Sequence, residues 1–356
     1  MTSPVSRRAH VVGLGLIGSS LALALRDAGW TVSGTDVQSV IVEEAVERGF
    51  VRTSSMDDEV ELVIIATPAG VVVDVVNEIL QLHQRTSLVV TDVAGVKGSI
   101  TAQIRDPRFI GGHPMAGSEL RGFAGARSNL FQGCTWVLTP TTHTTARTYG
   151  QLHGVLRELG ANVVAVEASD HDRLVAVASH VPHLLAGALM NEAARVAEED
   201  AVLLQLAAGG FRDMTRVAAG DPSIWPDVLF ENRDAVAQAL SALEERVGAL
   251  RRDVENGDRE SLTKALRDAS RARRQLPGRA LDASHLAYLR VGVSDQPGVL
   301  SRVTTAASEL LVNIYDIEIA HGIEGSSGTL LLAVADTQGA LFASALREMG
   351  FSVGVE

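Results

Sequence analysis

From Ala9 to about Asp170 the chain alternates short, unbroken apolar runs with longer stretches of helical period. The runs His10–Gly13, Thr31–Thr35, Leu62–Ala66, Leu88–Asp92, Phe109–Gly112, Trp136–Thr139 and Asn162–Val166 predict strands. The early runs are apolar at successive positions, not at every second one, as in a parallel sheet covered on both faces. Ser19–Ala28 and Val71–Leu82 carry apolar residues at helical spacing between them. Such strand–helix alternation predicts a doubly wound α/β sheet.

The pattern changes near Asp172. To about Gln275 the chain is rich in Ala, Leu, Arg and Glu at helical spacing, with Pro182, Pro222 and Pro226 dividing it into successive helices. Leu240, Leu243, Val247 and Leu250 form an apolar stripe between charged residues, which fits packing within the subunit or against a second one. Gln275-Leu276-Pro277-Gly278 reads as a linker. Beyond it, strands are expected at Ala287–Val293, Val312–Ile319, Thr329–Ala335 and Phe351–Val355, with helices at Val299–Glu309 and Gly339–Gly350. The order βαββαβ is the ferredoxin-like pattern. The expected domains are residues 1–171, a parallel α/β sheet; 172–278, all-helical; and 285–356, ferredoxin-like.

Composition narrows the partners. A net charge of −12 without a dense Lys/Arg block makes nucleic acid and anionic membranes poor partners, and 4% aromatic residues leave little for base stacking. The lone Cys134 fits a reducing, cytoplasmic setting. Arg7-Arg8 and the apolar run to Leu25 imitate a twin-arginine export signal, but no small-residue cleavage site follows, and cleavage would remove the glycine motif described next. No uninterrupted apolar run reaches the ~18 residues of a membrane span.

Gly13-Leu14-Gly15-Leu16-Ile17-Gly18 is G-x-G-x-x-G between a strand and a helix. The spacing gives a tight turn, a backbone close to a pyrophosphate and a helix N-terminus aimed at it. Asp36, at the end of the second strand, is placed for the ribose hydroxyls and would repel a 2′-phosphate, so NAD is the expected cofactor on a Rossmann-type domain. Thr67 and Pro68 after one strand, and Asp92 to Gly95 after the next, are expected to line the cofactor crevice at the carboxyl ends of the sheet.

Three clusters carry candidate chemistry. His113, in Gly112-His113-Pro114, is suited to accept a proton from a substrate hydroxyl. His171, His180 and His183 lie close together, but no flanking cysteine or acidic pair completes a zinc set, and no metal is expected. Arg212 and Arg216, in the Gly209–Arg216 segment, are candidates to hold a carboxylate through the guanidinium fork.

Taken in order, these motifs resemble the prephenate/arogenate dehydrogenase family over residues 9 to about 235. They are G-x-G-x-x-G, D-x-x-x-V-K at Asp92–Lys97, G-H-P-x-A-G at Gly112–Gly117, H-D then S-H-x-P-H at His171–His183, G-F-R-D-x-T-R at Gly210–Arg216, and D-P-x-x-W at Asp221–Trp225. The resemblance implies NAD-dependent oxidative decarboxylation of prephenate to 4-hydroxyphenylpyruvate, on the route to tyrosine. It gives His113 the ring hydroxyl and Arg216 a substrate carboxylate, with His171 and His183 shaping the pocket. Glu119 matches a position governing access; Gly209 and Trp225 match its border, and Arg212 joins the binding set. The family usually has serine where this chain has Gly95, and Ser118 or a water is the candidate substitute. Arogenate dehydrogenase, and a non-catalytic amino-acid sensor on the same scaffold, are the alternatives.

The last seventy residues resemble an ACT domain: Asp295-Gln296-Pro297-Gly298-Val299-Leu300 matches D-x-P-G-x-L, and Asn313-Ile314 a second family position. The resemblance implies an effector site at Asp295, Gly298, Val299, Asn313 and Ile314, with tyrosine the expected feedback inhibitor, in a homodimer.

Overall fold

The computed structural model describes residues 7–116, 122–200, 202–275, 286–294, 299–312, 314–321 and 327–355. Ser118, Glu119, Asp295, Gly298 and Asn313 fall outside these residues, as does the linker beyond Gln275. The chain divides into two compact units, residues 1–189 with 217–243, and residues 190–216 with 244–356.

The first unit opens with β1 (Arg8–Val12), α1 (Leu16–Asp27), β2 (Thr31–Thr35), α2 (Ser39–Glu47), β3 (Leu62–Ile65) and α3 (Val72–Leu82). It continues with β4 (Val89–Asp92), α4 (Gly98–Thr101), β5 (Phe109–Pro114), α5 (Gly122–Gly125), β6 (Thr135–Thr139), α6 (Ala146–Glu158) and β7 (Asn162–Ala165). The seven strands order as β2-β1-β3-β4-β5-β6-β7. β3 and β4 are buried at every position, as their unbroken apolar runs predict. One apolar cluster, including Leu21, Leu25, Ile64, Ile110 and Trp136, fills one side of the sheet; another, including Val63, Ile65, Val76, Val90 and Phe109, fills the other.

The sheet is parallel except that β6 runs antiparallel to β5. Between them, among the described residues, lies only the four-residue α5. Without a crossover helix the chain returns beside β5 in the opposite sense. Pairing with β6 also lengthens β5 to Pro114, so His113 sits opposite Val137 in a strand and not in the loop expected from its Gly and Pro neighbours. Arg8, read with Arg7 as a mimic of an export signal, stands in strand β1 and pairs with Asp57.

After β7 come α7 (Ala168–Val175), a π-helical turn (Ala176–His180) and α8 (Val181–Glu199). The wide turn explains how a helix passes Pro182. The Val181 N–H reaches five residues back to Ala176 O, so the ladder has already stepped out of α register where proline brings no N–H and a bulky ring. The span Ala168–Glu199 is long and apolar enough to cross a membrane by length and composition. Its first turns nevertheless carry His171, Asp172 and Arg173, and α7 packs on α4 and β6.

The chain goes on through α9 (Val202–Leu206), α10 (Gly209–Thr215), α11 (Trp225–Glu231), α12 (Arg233–Asn256) and α13 (Arg259–Arg274). Its last part is β8 (Leu286–Ser294), α14 (Val299–Glu309), β9 (Ile314–His321), β10 (Ser327–Ala335), α15 (Asp336–Glu348) and β11 (Ser352–Val355). The element order is the expected βαββαβ. Its strands form an antiparallel sheet ordered β11-β8-β10-β9, closed over a core that includes Leu289, Val291, Leu332 and Phe342.

Candidate functional site

The glycine turn lies where the strand order reverses, between β1 and its neighbours β2 and β3. Gly13 has φ +91°, and a Cβ there would stand 2.5 Å from Ala66 O. A Cβ on Gly18 would stand 1.8 Å from Gly13 O. Both glycines are therefore required by close backbone packing. Gly15 differs: a Cβ on it would meet nothing within 4 Å. It is the N-cap of α1, with no side chain capping the helix. Leu16 and Ile17 open that helix, leaving an N-terminus with open space before it, the requirement for a pyrophosphate. Asp36 follows β2 and accepts the Leu14 N–H at 2.8 Å and the Gln38 N–H at 3.0 Å, which fixes its carboxylate beside the turn. Thr67, after β3, has a buried hydroxyl with no partner among the described residues, and Pro68 follows it. A cradle closed by glycine backbone, an uncapped helix end, a fixed carboxylate and an orphan hydroxyl all suit a dinucleotide.

Asp92 requires a correction as a cofactor-lining residue. It is fully buried and ion-paired with Lys97, itself fully buried. Its carboxylate also accepts the N–H groups of Ala94 at 3.0 Å and Gly112 at 3.3 Å. It has no face left for a cofactor; it ties the turn after β4 to the residue preceding His113. Burial pulls the Lys97 ammonium below its ordinary pKa, against the opposing pull of Asp92.

His113 Nδ1 lies 2.8 Å from His171 Nε2, the rings meeting edge to face with centroids 5.1 Å apart. His171 Nδ1 lies 2.7 Å from Asp172 Oδ1. Asp172 in turn accepts the N–H of Lys97 at 2.8 Å and of Gly98 at 2.7 Å. Burial works to raise the Asp172 carboxyl, but the bonds from His171, Gly98 and Lys97 outweigh it and hold it below the usual carboxylate range. Burial, reinforced by the charges of His171, Lys97 and His180, holds His113 well below an ordinary imidazole.

A second histidine group flanks the first. The Asn232 side-chain amide donates to Asp172 O at 2.8 Å and stands 3.2 Å from His180 Nδ1. His183 stacks on Trp225, with centroids 3.7 Å apart and planes within 15°. The imidazoles engage one another, Asn232 and Trp225, and among the described residues no group of three His, Cys, Asp or Glu is arranged to hold a metal. Asn232 and Lys97 are site residues that motif reading leaves without a role: Asn232 lies beyond the last motif, and Lys97 reads only as the end of one.

Gly209 opens α10, Arg212 lies within it and Arg216 follows its end. These three belong to the second unit, whereas His113, His171, His183 and Trp225 belong to the first.

At Gly95 an added Cβ would stand 3.7 Å from His113 Nε2 and 3.9 Å from Val228 Cγ1, ordinary contact distances. A serine therefore fits without displacing its neighbours, and its hydroxyl can reach Nε2. Gly95→Ser is expected to leave Tm nearly unchanged and to raise kcat/KM about 2- to 10-fold, the worth of one added hydrogen bond. Steady-state kinetics with a melting curve checks this; a loss of activity would show that the space beside Nε2 is needed empty.

Residues 21–165 match the family described as "Prephenate dehydrogenase, nucleotide-binding domain", and residues 167–268 "Prephenate dehydrogenase, dimerization domain". The chain is 32% identical to the prephenate dehydrogenase of Bacillus subtilis (strain 168) over 91% of each sequence. Among solved structures, it resembles prephenate dehydrogenase from A. aeolicus in complex with hydroxyphenyl propionate and NAD+. That match has 26% identity and a TM-score of 0.71, covering 78% of this chain and all of that one. It also resembles Synechocystis arogenate dehydrogenase, with 33% identity and a TM-score of 0.65, covering 75% of this chain and 98% of that one.

Proposed function

The chain belongs to the prephenate dehydrogenase family, and from that premise we propose that it oxidatively decarboxylates prephenate to 4-hydroxyphenylpyruvate with NAD. The observation that carries the reading is a partly buried imidazole, His113, held at its Nδ1 by His171 and presenting Nε2 toward Gly95.

Bound NAD supplies the hydride acceptor. Gly13, Gly15 and Gly18, with the first N–H groups of α1 at Leu16 and Ile17, would hold its pyrophosphate, and Asp36 its ribose. Thr67, Pro68 and Gly95 would line the rest of the crevice. His113 Nε2 takes the proton of the ring hydroxyl as the hydride departs from the carbon that bears it. Loss of carbon dioxide then makes the ring aromatic, and the proton returns to the oxygen. The balance is one prephenate and one NAD consumed, with one 4-hydroxyphenylpyruvate, one carbon dioxide and one NADH formed, and no net proton released. Aromatisation drives the reaction; the protein supplies orientation and charge placement.

We assign substrate-binding roles to Arg216 and Arg212, for a carboxylate, and to Gly209 in the second unit, and to His171, His183, Trp225, Ser118 and Glu119 in the first. Arg216→Ala is expected to raise the KM for prephenate about 10- to 100-fold with a smaller effect on kcat, because a desolvated carboxylate loses its partner. An unchanged KM would take Arg216 out of substrate binding.

The alternative substrate is arogenate, which the likeness to the Synechocystis enzyme favours. Side-by-side kcat/KM values decide: the proposal expects the larger value with prephenate, a larger value with arogenate would select the alternative, and no NADH with either would overturn the reading.

We further propose the domain limits 1–171, 172–278 and 285–356, a homodimer and a cytoplasmic location. The dimer is supported by the family description of residues 167–268 and by half-exposed or exposed apolar residues Val247, Val254 and Leu266 on α12 and α13. The βαββαβ unit is assigned as an ACT domain binding tyrosine, with Val299 opening α14 and Ile314 opening β9. Calorimetry with tyrosine and phenylalanine, with Gly298→Val as control, tests this; no heat with either amino acid would sink the sensor.

A further inference from the structure

With a neutral His171, the contacts around His113 set the order of its protons. Asp172 accepts two backbone N–H groups, from Lys97 at 2.8 Å and Gly98 at 2.7 Å. It is an anion there and only accepts, so the proton in its 2.7 Å contact with His171 belongs to His171 Nδ1. A neutral His171 then has a bare Nε2, which only accepts. The proton in the 2.8 Å contact with His113 therefore belongs to His113 Nδ1. This leaves His113 Nε2 bare, the nitrogen on the side of Gly95.

We propose that Asp172, acting through His171, is a positioning residue that sets the tautomer and ring plane of His113 and shares the positive charge when Nε2 takes a proton. The local structure serves this arrangement. His171 and Asp172 are consecutive in α7, and Asp172 is held by the first turn of the α4 segment while its own carbonyl is held by Asn232. His171 is nearly fully buried, so water does not compete for the inner bond. Gly95 offers no side chain to orient His113 from the other side, and among the described residues the ring is oriented by the His171 contact. The charged and titratable groups facing this chain are Lys97 from the turn after β4 and His180 from the π-helical turn.

The inference rests on the dehydrogenase reading for its kinetic consequence, but the proton order is tested apart from it. In the full chain labelled with [15N]histidine, without cofactor and at neutral pH, His113 is expected to be protonated at Nδ1 and bare at Nε2. His171 is expected to show the same tautomer, with resonances assigned from His113→Asn and His171→Gln. A His113 protonated at Nε2 overturns the proposal whether or not the enzyme turns over. Asp172→Asn is expected to lower kcat at least about 10²-fold, as loss of a tautomer-setting carboxylate does in other relays, with KM for NAD unchanged within about 2-fold. Its acid limb in kcat/KM is expected to move to lower pH: the base must be neutral, and removing the anion makes imidazolium easier to deprotonate. A purely structural role would lower Tm and the amount of active enzyme without moving the limb, and that result, like an unchanged kcat, overturns the proposal. If Asp172→Asn does not fold, the wild-type nitrogen spectra decide alone. A wild-type chain that oxidises neither prephenate nor arogenate sinks the dehydrogenase reading and leaves the spectral test standing.

Discussion

His113→Asn is expected to lower kcat about 10²- to 10⁴-fold, the usual worth of a positioned general base, while NAD affinity stays within about 2-fold because the substitution lies outside the glycine turn. Asparagine still fits the strand position opposite Val137 and can bond His171, so the variant separates loss of the base from loss of the fold. NADH formation gives kcat, and a binding titration gives NAD affinity. Near-normal turnover would remove His113 from the mechanism. The same imidazole sets the pH profile. Burial, together with the charges of His171, Lys97 and His180, holds its pKa well below 6.5. Its neutral, accepting form therefore persists as the pH falls below the range of a free histidine, and the acid limb of kcat/KM is expected on the acid side of that range.

Lys97→Met is expected to cost about 3–5 kcal/mol of stability, because it leaves the Asp92 carboxylate buried without its cation. The consequence is local as well as global. Asp92 ties Ala94 and Gly112 to one carboxylate, and Lys97 and Gly98 supply the N–H groups that hold Asp172. The segment thus anchors both the strand that carries His113 and the histidine behind it. Urea denaturation reads the loss, and the double variant Asp92→Asn with Lys97→Met is expected to recover much of it, since the uncompensated charge is then gone. A single variant within about 1 kcal/mol of wild type would mean that the pair does not hold this end of the sheet.

The contrast between these residues and the glycine motif shows what a sequence makes visible. G-x-G-x-x-G is legible because the same local geometry recurs: Gly13 and Gly18 are demanded by backbone contacts, and spacing along the chain encodes them. The βαββαβ order is legible because each strand is an apolar run bounded by turns. Strand direction is not, because apolar periodicity is the same in both senses, and the reversal of β6 depends on the missing crossover helix. Asp92 reads as a residue at the mouth of the crevice because it ends a strand; that its partner is a buried lysine five positions on emerges only from packing. Asn232 is invisible for a similar reason. It acts across sixty residues through one amide, and nothing in its neighbours marks it. Pro182 signals a break in sequence, yet a π turn one step upstream lets the helix continue and carry His180 and His183 on consecutive turns.

The proposed mechanism requires His113 Nε2 to accept the proton of the ring hydroxyl beside the cofactor cradle. A crystal structure of this chain with NAD+ and hydroxyphenyl propionate tests it most directly. The phenolic oxygen is expected within about 2.6–3.2 Å of His113 Nε2, with the pyrophosphate over Gly15 and the N-terminus of α1. A phenolic oxygen bound elsewhere, with Nε2 facing protein or bulk water, would contradict it.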